Sequence, residues 1–332
     1  MQRNKLREGI MKSDKNYIIC VLFFLFGMMG FGVSPSVAGA EPFIKGAKLC
    51  EECHEEEFKI WSKTKHHTSF RTVHREPKDS NKPSPKKILK AVGGQKRMKR
   101  NKTCYLCHYT LEQKEAGAKH QIKSGTSCES CHGASSDWLA IHDNYGGKDV
   151  KREDEAPDHK IKRIEDSKVA GLIWPSMKYE IAENCMTCHG LANPDLKPDD
   201  LAKMLGAGHP INPEFELVKY SQGTVRHRHY PPNMKTNAEM SPKEQAEFFV
   251  IGHAAALVSA TSVLSKSSEA KYVEAQQKRV ENAKAALAGV SEAVELLASP
   301  TRENALKFAG AIAGKDLTGV LGSKLPAKSD YK

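Results

Sequence analysis

The chain has 332 residues, of which 39% are apolar and 27% charged, with a formal net charge of +11. That apolar share is thin for a chain of this length to build its core from side chains alone. No dinucleotide fingerprint, phosphate loop or nucleophile triad is present, so hydride transfer, nucleotide-driven work and covalent hydrolysis are set aside.

In chain order, residues 1–40 read as an export signal. Arg3, Lys5, Arg7, Lys12 and Lys15 form a basic region, the apolar run Ile18–Val33 follows, and Val37-Ala38-Gly39-Ala40 offers a small-residue cleavage site. Met11 is an alternative start that gives a more ordinary signal length. At 16 residues, with Gly27, Gly30 and Gly32 inside it, the run is short for a membrane anchor. Cleavage near Ala40 delivers the chain to the periplasm or another extracytoplasmic compartment. It removes Cys20 and leaves eight cysteines. It also removes five Lys/Arg and two Asp/Glu, so the remainder carries +8 rather than +11.

The eight cysteines fall into four C-x-x-C-H motifs: Cys50/Cys53/His54, Cys104/Cys107/His108, Cys128/Cys131/His132 and Cys185/Cys188/His189. This is the attachment signature of c-type haem. The two thiols add to the haem vinyl groups as thioethers, and the adjacent histidine becomes an axial iron ligand. Zinc sites use paired cysteines too, but they do not require histidine straight after the second cysteine of every pair. A disulfide framework does not produce i,i+3 pairs each closed by histidine. Four covalently bound haem c groups are therefore expected, with no cysteine left over. Their propionates nominally offset the +8, so the basic excess is no reason to invoke nucleic acid. Porphyrin faces supply the missing core.

After the first motif, Phe58, Trp61 and Thr64/Lys65 predict a short helix that carries His66 or His67 away from the first haem. Pro77–Pro85 is a polar turn. Lys82–Lys102 holds nine Lys/Arg and no acid, broken by Gly93-Gly94. It reads as a solvated loop that neutralises propionates, or as a docking patch for an acidic redox partner. His142 follows the third motif by ten residues. Gly146–Asp166 is charged and reads as a surface connection with His159 exposed. Val169–Tyr179, with Trp174-Pro175, leads into the fourth motif, and Pro194–Asp200 is a turn-rich exit. The segment 206–233 has little periodicity and holds His209, His227 and His229, as expected where backbone wraps haem.

From Ser241 the character changes. Ser241-Pro242-Lys243-Glu244 is a helix start, with a Ser cap, Pro in the first turn and an acid three residues on. An apolar run over Phe248–Leu264 follows. Glu269–Val290 is a second helix candidate, and Ser299-Pro300-Thr301 breaks the chain before Asn304–Ala313. This region lacks cysteine and reads as a helical hairpin or bundle. Its role is a packing cap on the haem domain, or a surface for homo-oligomerisation or partner docking. The expected organisation is a signal peptide at 1–40, a tetrahaem cytochrome domain at 41–240 and a helical region at 241–332. The fold class is mostly α with much irregular chain, organised by haem packing.

Beyond the four motif histidines, ten remain: His66, His67, His74, His120, His142, His159, His209, His227, His229 and His253. This surplus favours bis-histidine haems, which are low-potential relative to Met/His cytochromes. A six-coordinate iron relays electrons, whereas a five-coordinate one binds small molecules.

The run KLCEECH…W…HH, TCYLCHY, GTSCESCHG with a histidine ten residues later, NCMTCHG and HRHY resembles the tetrahaem cytochrome c-554 family over about residues 43–232. The helical region lies outside the resemblance. By position, the resemblance implies His66 as distal ligand to the His132 iron, His142 to the His189 iron and His227 to the His54 iron. It implies an open second haem, at His108. The segment between the second and third motifs departs from the family, being shorter and containing His120. His120, His74 and His209 are each able to close that site.

The reading is an exported carrier between redox protein partners, such as a multihaem oxidoreductase and a quinone-linked or soluble acceptor. The resemblance implies service to nitrogen-compound oxidation. The alternative is a reductase of NO or another nitrogen oxide at the His108 haem. A third reading is a subunit of a larger cytochrome assembly, held there by its helical region.

Overall fold

The computed structural model describes residues 41–94 and 97–332. The export signal and Cys20 lie outside them, as do Gln95 and Lys96. Mostly short helices and long irregular stretches build the first two thirds. Helix α1 (Ala47–Glu51) is followed by α2 (Glu55–Trp61), α3 (Lys65–Thr72), α4 (Pro85–Ala91) and α5 (Lys102–His108). A two-stranded antiparallel ribbon, β1 (Leu111–Glu112) and β2 (Gln121–Ile122), pairs Leu111 with Ile122. Then come α6 (Cys128–His132), α7 (Leu139–His142), α8 (Pro157–Val169), α9 (Lys178–His189), α10 (Pro198–Gly206) and α11 (Leu217–Ser221). The last third holds α12 (Pro242–Val263), α13 (Ala270–Leu287), α14 (Val294–Ala298), α15 (Arg302–Ile312) and α16 (Thr318–Leu321).

Local sequence explains the helix starts. The Thr64 hydroxyl accepts from His67 N at α3, Ser84 accepts from Lys87 N at α4, and the Asn101 carboxamide accepts from Cys104 N at α5. Each satisfies a backbone donor that the first turn leaves without a partner. Ser241 and Glu244 form the expected reciprocal box at α12.

Two stretches differ from the sequence expectation. The basic run 82–102 is not simply a loop, because α4 lies within it. Ile88 and Val92 turn inward with Met98 to pack beside Cys104, while Lys86, Lys87 and Lys90 stay exposed. The connection 146–166 contains the start of α8, entered through Pro157 at its first turn. That helix is hard to see in sequence, since Arg163 and Ser167 are its buried residues and no apolar stripe marks it.

The described residues from Glu41 to Lys332 form one compact unit. Its larger core joins Tyr179, Ala182 and Met186 of α9 to Phe248, Phe249, Ile251 and Leu257 of α12, Leu287 of α13 and Phe308 of α15. The C-terminal helices therefore share a core with the helix that carries the fourth motif. Helix α12 is long and apolar enough to cross a membrane, but 67% of its most apolar window is buried inside the protein, as suits a core helix. A second core gathers Ile88, Val92, Met98, Cys104, Tyr109, Leu201, Leu205 and Tyr272 around the second motif.

Candidate haem-binding site

A C-x-x-C pair on one helical turn presents both thiols on the same face. Cys104 and Cys107 lie in α5, Cys128 and Cys131 in α6, and Cys185 and Cys188 at the end of α9. The first motif is built differently. Cys50 lies in α1, His54 is the N-cap of α2, and Cys53 falls in the turn between the two helices.

All eight cysteines among the described residues are free. Cys53 differs from the other seven: it is exposed, whereas they are buried or half-buried. The reason is local. Helix α1 stops at Glu51, so Cys53 stands on a turn closed by its own amide donating to Cys50 O at 3.3 Å. That turn lies at the edge of the fold, where neither core reaches Cys53. The same edge leaves His54 exposed. The chain's own side chains therefore enclose three of the thiol pairs and only one member of the first, although the turn keeps the i,i+3 spacing of Cys50 and Cys53.

The motifs converge on one another. The Cys50 thiol lies beside that of Cys128, and Cys107 beside Cys188, a proximity that lowers Cys188 to about 7 and raises Cys107. Cys131 lies near enough to Cys185 and Cys188 for their charges to interact. Burial pushes Cys104 and Cys131 up to about 11, so both hold the S–H that adds across a vinyl double bond.

Each motif histidine faces one histidine from elsewhere in the chain. The ring centroids of His54 and His142 are 6.4 Å apart, those of His66 and His189 6.1 Å, His108 and His209 6.1 Å, and His132 and His227 6.3 Å. Two metal–nitrogen bonds of about 2 Å, plus roughly 1 Å from each nitrogen to its ring centre, span about 6 Å. The four spacings fit an iron between each pair.

Hydrogen bonds at Nδ1 leave Nε2 of several of these rings free. Nδ1 of His142 bonds Leu139 O at 2.6 Å, Nδ1 of His209 bonds Pro210 O at 2.8 Å, and Nδ1 of His227 bonds Val225 O at 2.6 Å. Among the motif residues, His132 Nδ1 bonds Ile173 O at 2.8 Å, and His54 Nδ1 lies 3.6 Å from Glu57. Ligand histidines are held in this way, through the nitrogen that does not bind metal. Burial lowers His108 and His189 to about 4, and also lowers His66, His132, His142 and His209. All six are therefore neutral donors at neutral pH.

The pairing differs from the one implied by resemblance. His66 faces His189 rather than His132, His142 faces His54 rather than His189, and His227 faces His132 rather than His54. Of the three candidates for the second site, His209 stands opposite His108, while His74 and His120 are exposed. Packing accompanies this permutation: Ser69 of α3 donates to His108 O at 3.5 Å, which places α3 against the second motif, and Gly125 lets α3 come close, since a Cβ there would collide with His66 O. The other histidines have different surroundings. His67 packs edge-on to Trp61, His159 is half-buried and bonded to Glu155 rather than exposed, His229 bonds Met234 O, and His253 packs on Phe249.

Several anchoring residues carry no motif. The buried Glu129 carboxylate accepts from Lys45 N, Gly46 N and Ser135 N at 2.7–3.0 Å, tying the approach to the first motif onto α6. Asn184 donates to Ser130 O and Cys131 O, tying α9 to α6. Arg163 makes a two-pronged ion pair with Glu155 and donates to His142 O, so α8 holds the end of α7. Sequence reasoning missed these because a lone Glu, Asn or Arg carries no spacing signal.

The donor set fits haem. Among the described residues no group of three or more His, Cys, Asp or Glu side chains is placed to hold a metal ion. The histidines come in opposed pairs, which is the arrangement for an ion whose remaining four ligands come from a porphyrin.

Comparison with known proteins agrees. Residues 49–133 match the family described as cytochrome c554 and c-prime. Over 172 residues the chain is 27% identical to cytochrome c-554 of Nitrosomonas europaea, an alignment covering 46% of this chain and 60% of that protein. The chain thus spans less than two thirds of that relative. No solved structure matches it.

Proposed function

Because the haem-attachment part of this chain belongs to the cytochrome c-554 family and so binds haem c covalently, we propose that the protein is an exported tetrahaem electron carrier. The observation that carries this reading is the set of four opposed histidine pairs, one per motif, at 6.1–6.4 Å. Each thiol pair would hold one haem: Cys50/Cys53, Cys104/Cys107, Cys128/Cys131 and Cys185/Cys188. The axial pairs would be His54/His142, His108/His209, His132/His227 and His189/His66. Bound haem supplies a one-electron iron couple. The chain's part is to offer two imidazoles to every iron, several of them with the ring already held through Nδ1. With Cys53 and His54 at the surface, the first haem would be the one nearest to solvent.

The thiols of the first and third motifs lie close together, as do those of the fourth and second, and Cys131 of the third is near enough to Cys188 of the fourth for their charges to interact. Attachment points neighbouring one another in this order would suit a relay. His209 stands where a small molecule would have to bind at the second site, which favours carrier over nitrogen-oxide reductase. The nitrogen-compound setting rests on the family resemblance. Periplasmic residence rests on the same resemblance and on the basic–apolar–small order of residues 1–40. The redox partners would include an acidic protein, because the Lys and Arg side chains described between 82 and 102 make no ion pair among the described residues.

Low-temperature EPR of the oxidised protein, with CO added to the reduced form, tests the reading. Four low-spin signals and no CO uptake are expected. A high-spin signal with CO uptake in the unaltered protein would overturn the carrier reading. In His209→Ala one haem of the four becomes high-spin and binds CO.

A further inference from the structure

Among the described residues two arginines are buried, and they are treated differently. Arg163 is neutralised by Glu155 through two hydrogen bonds of 2.7 Å. Arg279, on α13 and only 3% exposed, has no carboxylate partner among the described residues. Its guanidinium donates to Gln276 Oε1 at 2.6 Å, Gly190 O at 3.4 Å and Ser259 Oγ at 3.4 Å, and touches Met186 Sδ at 3.1 Å. Gln276 Nε2 also donates to Gly190 O, at 2.9 Å, and the Tyr272 hydroxyl donates to Leu191 O at 3.3 Å. Residues 272, 276 and 279 share one face of α13, and all three grip the turn that begins straight after His189. A Cβ on Gly190 would meet Arg279 Nη1 at 2.6 Å, so glycine is what lets the guanidinium come this close. An unpaired buried cation is costly unless something compensates it.

We infer that Arg279 is a positioning residue for the fourth motif: it fixes the turn after His189 and sets a permanent positive charge behind that histidine. This rests on the reading of Cys185/Cys188/His189 as a haem site. Reduction adds one electron to the iron and moves no proton at Arg279. The net charge of the site falls by one, so a fixed cation nearby favours the reduced form and raises the potential of that haem. The helical region that lies outside the family match then belongs to the redox machinery.

Potentiometric titration followed by visible absorbance and EPR tests this on the full-length, haem-loaded protein. Arg279→Gln is expected to move one of the four midpoint potentials downward and leave three in place, while Arg279→Lys leaves all four close to the unaltered protein. Unchanged midpoints in Arg279→Gln, or equal shifts in both variants, would overturn the inference. Should Arg279→Gln fail to fold, Gln276→Glu supplies the absent carboxylate without removing the arginine. It is expected to lower the same midpoint, and no shift overturns the inference equally. A pyridine haemochrome ratio of three rather than four in the unaltered protein would instead sink the underlying haem assignment.

Discussion

At the residue scale, polar side chains with no motif around them place the histidine pairs. Glu129 is 3% exposed and satisfies three backbone donors. Glu129→Ala leaves those amides without a partner and is expected to cost about 3 kcal/mol. Chemical denaturation measures this, and a loss below about 1 kcal/mol would mean that water replaces the carboxylate. His253 gives a pH dependence. Burial is the main cause lowering it to about 4, with Lys219 and Lys324 adding to the effect. The unfolded chain binds a proton there near pH 6.5 and the folded chain does not. Stability is therefore full above about pH 6.5 and falls as pH drops toward 4, by roughly 2–3 kcal/mol. His253→Leu should flatten that part of the profile, and a profile of unchanged slope would contradict the assignment. The proposed attachment residues stand out in sequence because covalent attachment would demand contiguous spacing. That spacing says nothing of enclosure, which is why the exposure of Cys53 could not be read from it. The opposed histidines were foreshadowed by a surplus of histidine, but which ring faces which depends on how helices such as α3 and α7 pack.

At the scale of elements, two helices do more than their sequences announce. Helix α8 looked like a charged connection, yet Arg163 uses it to secure His142. Its polarity hid it, since few of its residues are buried. Helix α12 was plain from its Ser-Pro start and apolar run, but sequence did not reveal that its core partner is α9. A helix buried over most of its surface presents no single stripe from which to read a partner. This shared core makes removal of residues 241–332 a severe change, exposing Tyr179, Ala182 and Met186, each 2% exposed or less. The truncated chain is expected to lose cooperative thermal unfolding and to retain fewer than four haems. A truncated chain with full haem content and unchanged melting would show that the region is a separable appendage.

At the scale of the whole molecule, charge is laid out unevenly. Arg163, Lys178, Arg226 and Arg228 are each ion-paired, whereas Lys86, Lys87 and Lys90 of α4, which lies over the second motif, make no ion pair among the described residues. A helix is about 10 Å across, so a partner docked on Lys86, Lys87 and Lys90 would rest close to the second attachment site. Reduction by an anionic one-electron donor should slow as salt is raised, and slow about tenfold at low salt in a Lys86→Glu/Lys87→Glu/Lys90→Glu variant. Stopped-flow absorbance measures both. Equal rates for the variant and the unaltered protein would remove the patch from the encounter.

The crosswise pairing also bears on how the molecule is assembled. On the proposed ligation, each iron takes one imidazole beside its thioethers and another roughly a hundred residues away in the chain. A chain threading through a membrane pore from its N-terminus would expose the first attachment site long before His142 emerged to complete it. Such long-range closures make for slow folding. Meanwhile His66 and His67, only a dozen residues past His54, are the nearest substitutes. Maturation is then an ordering problem, in which any early coordination by a neighbour has to be exchanged for the final partner once His142 has emerged.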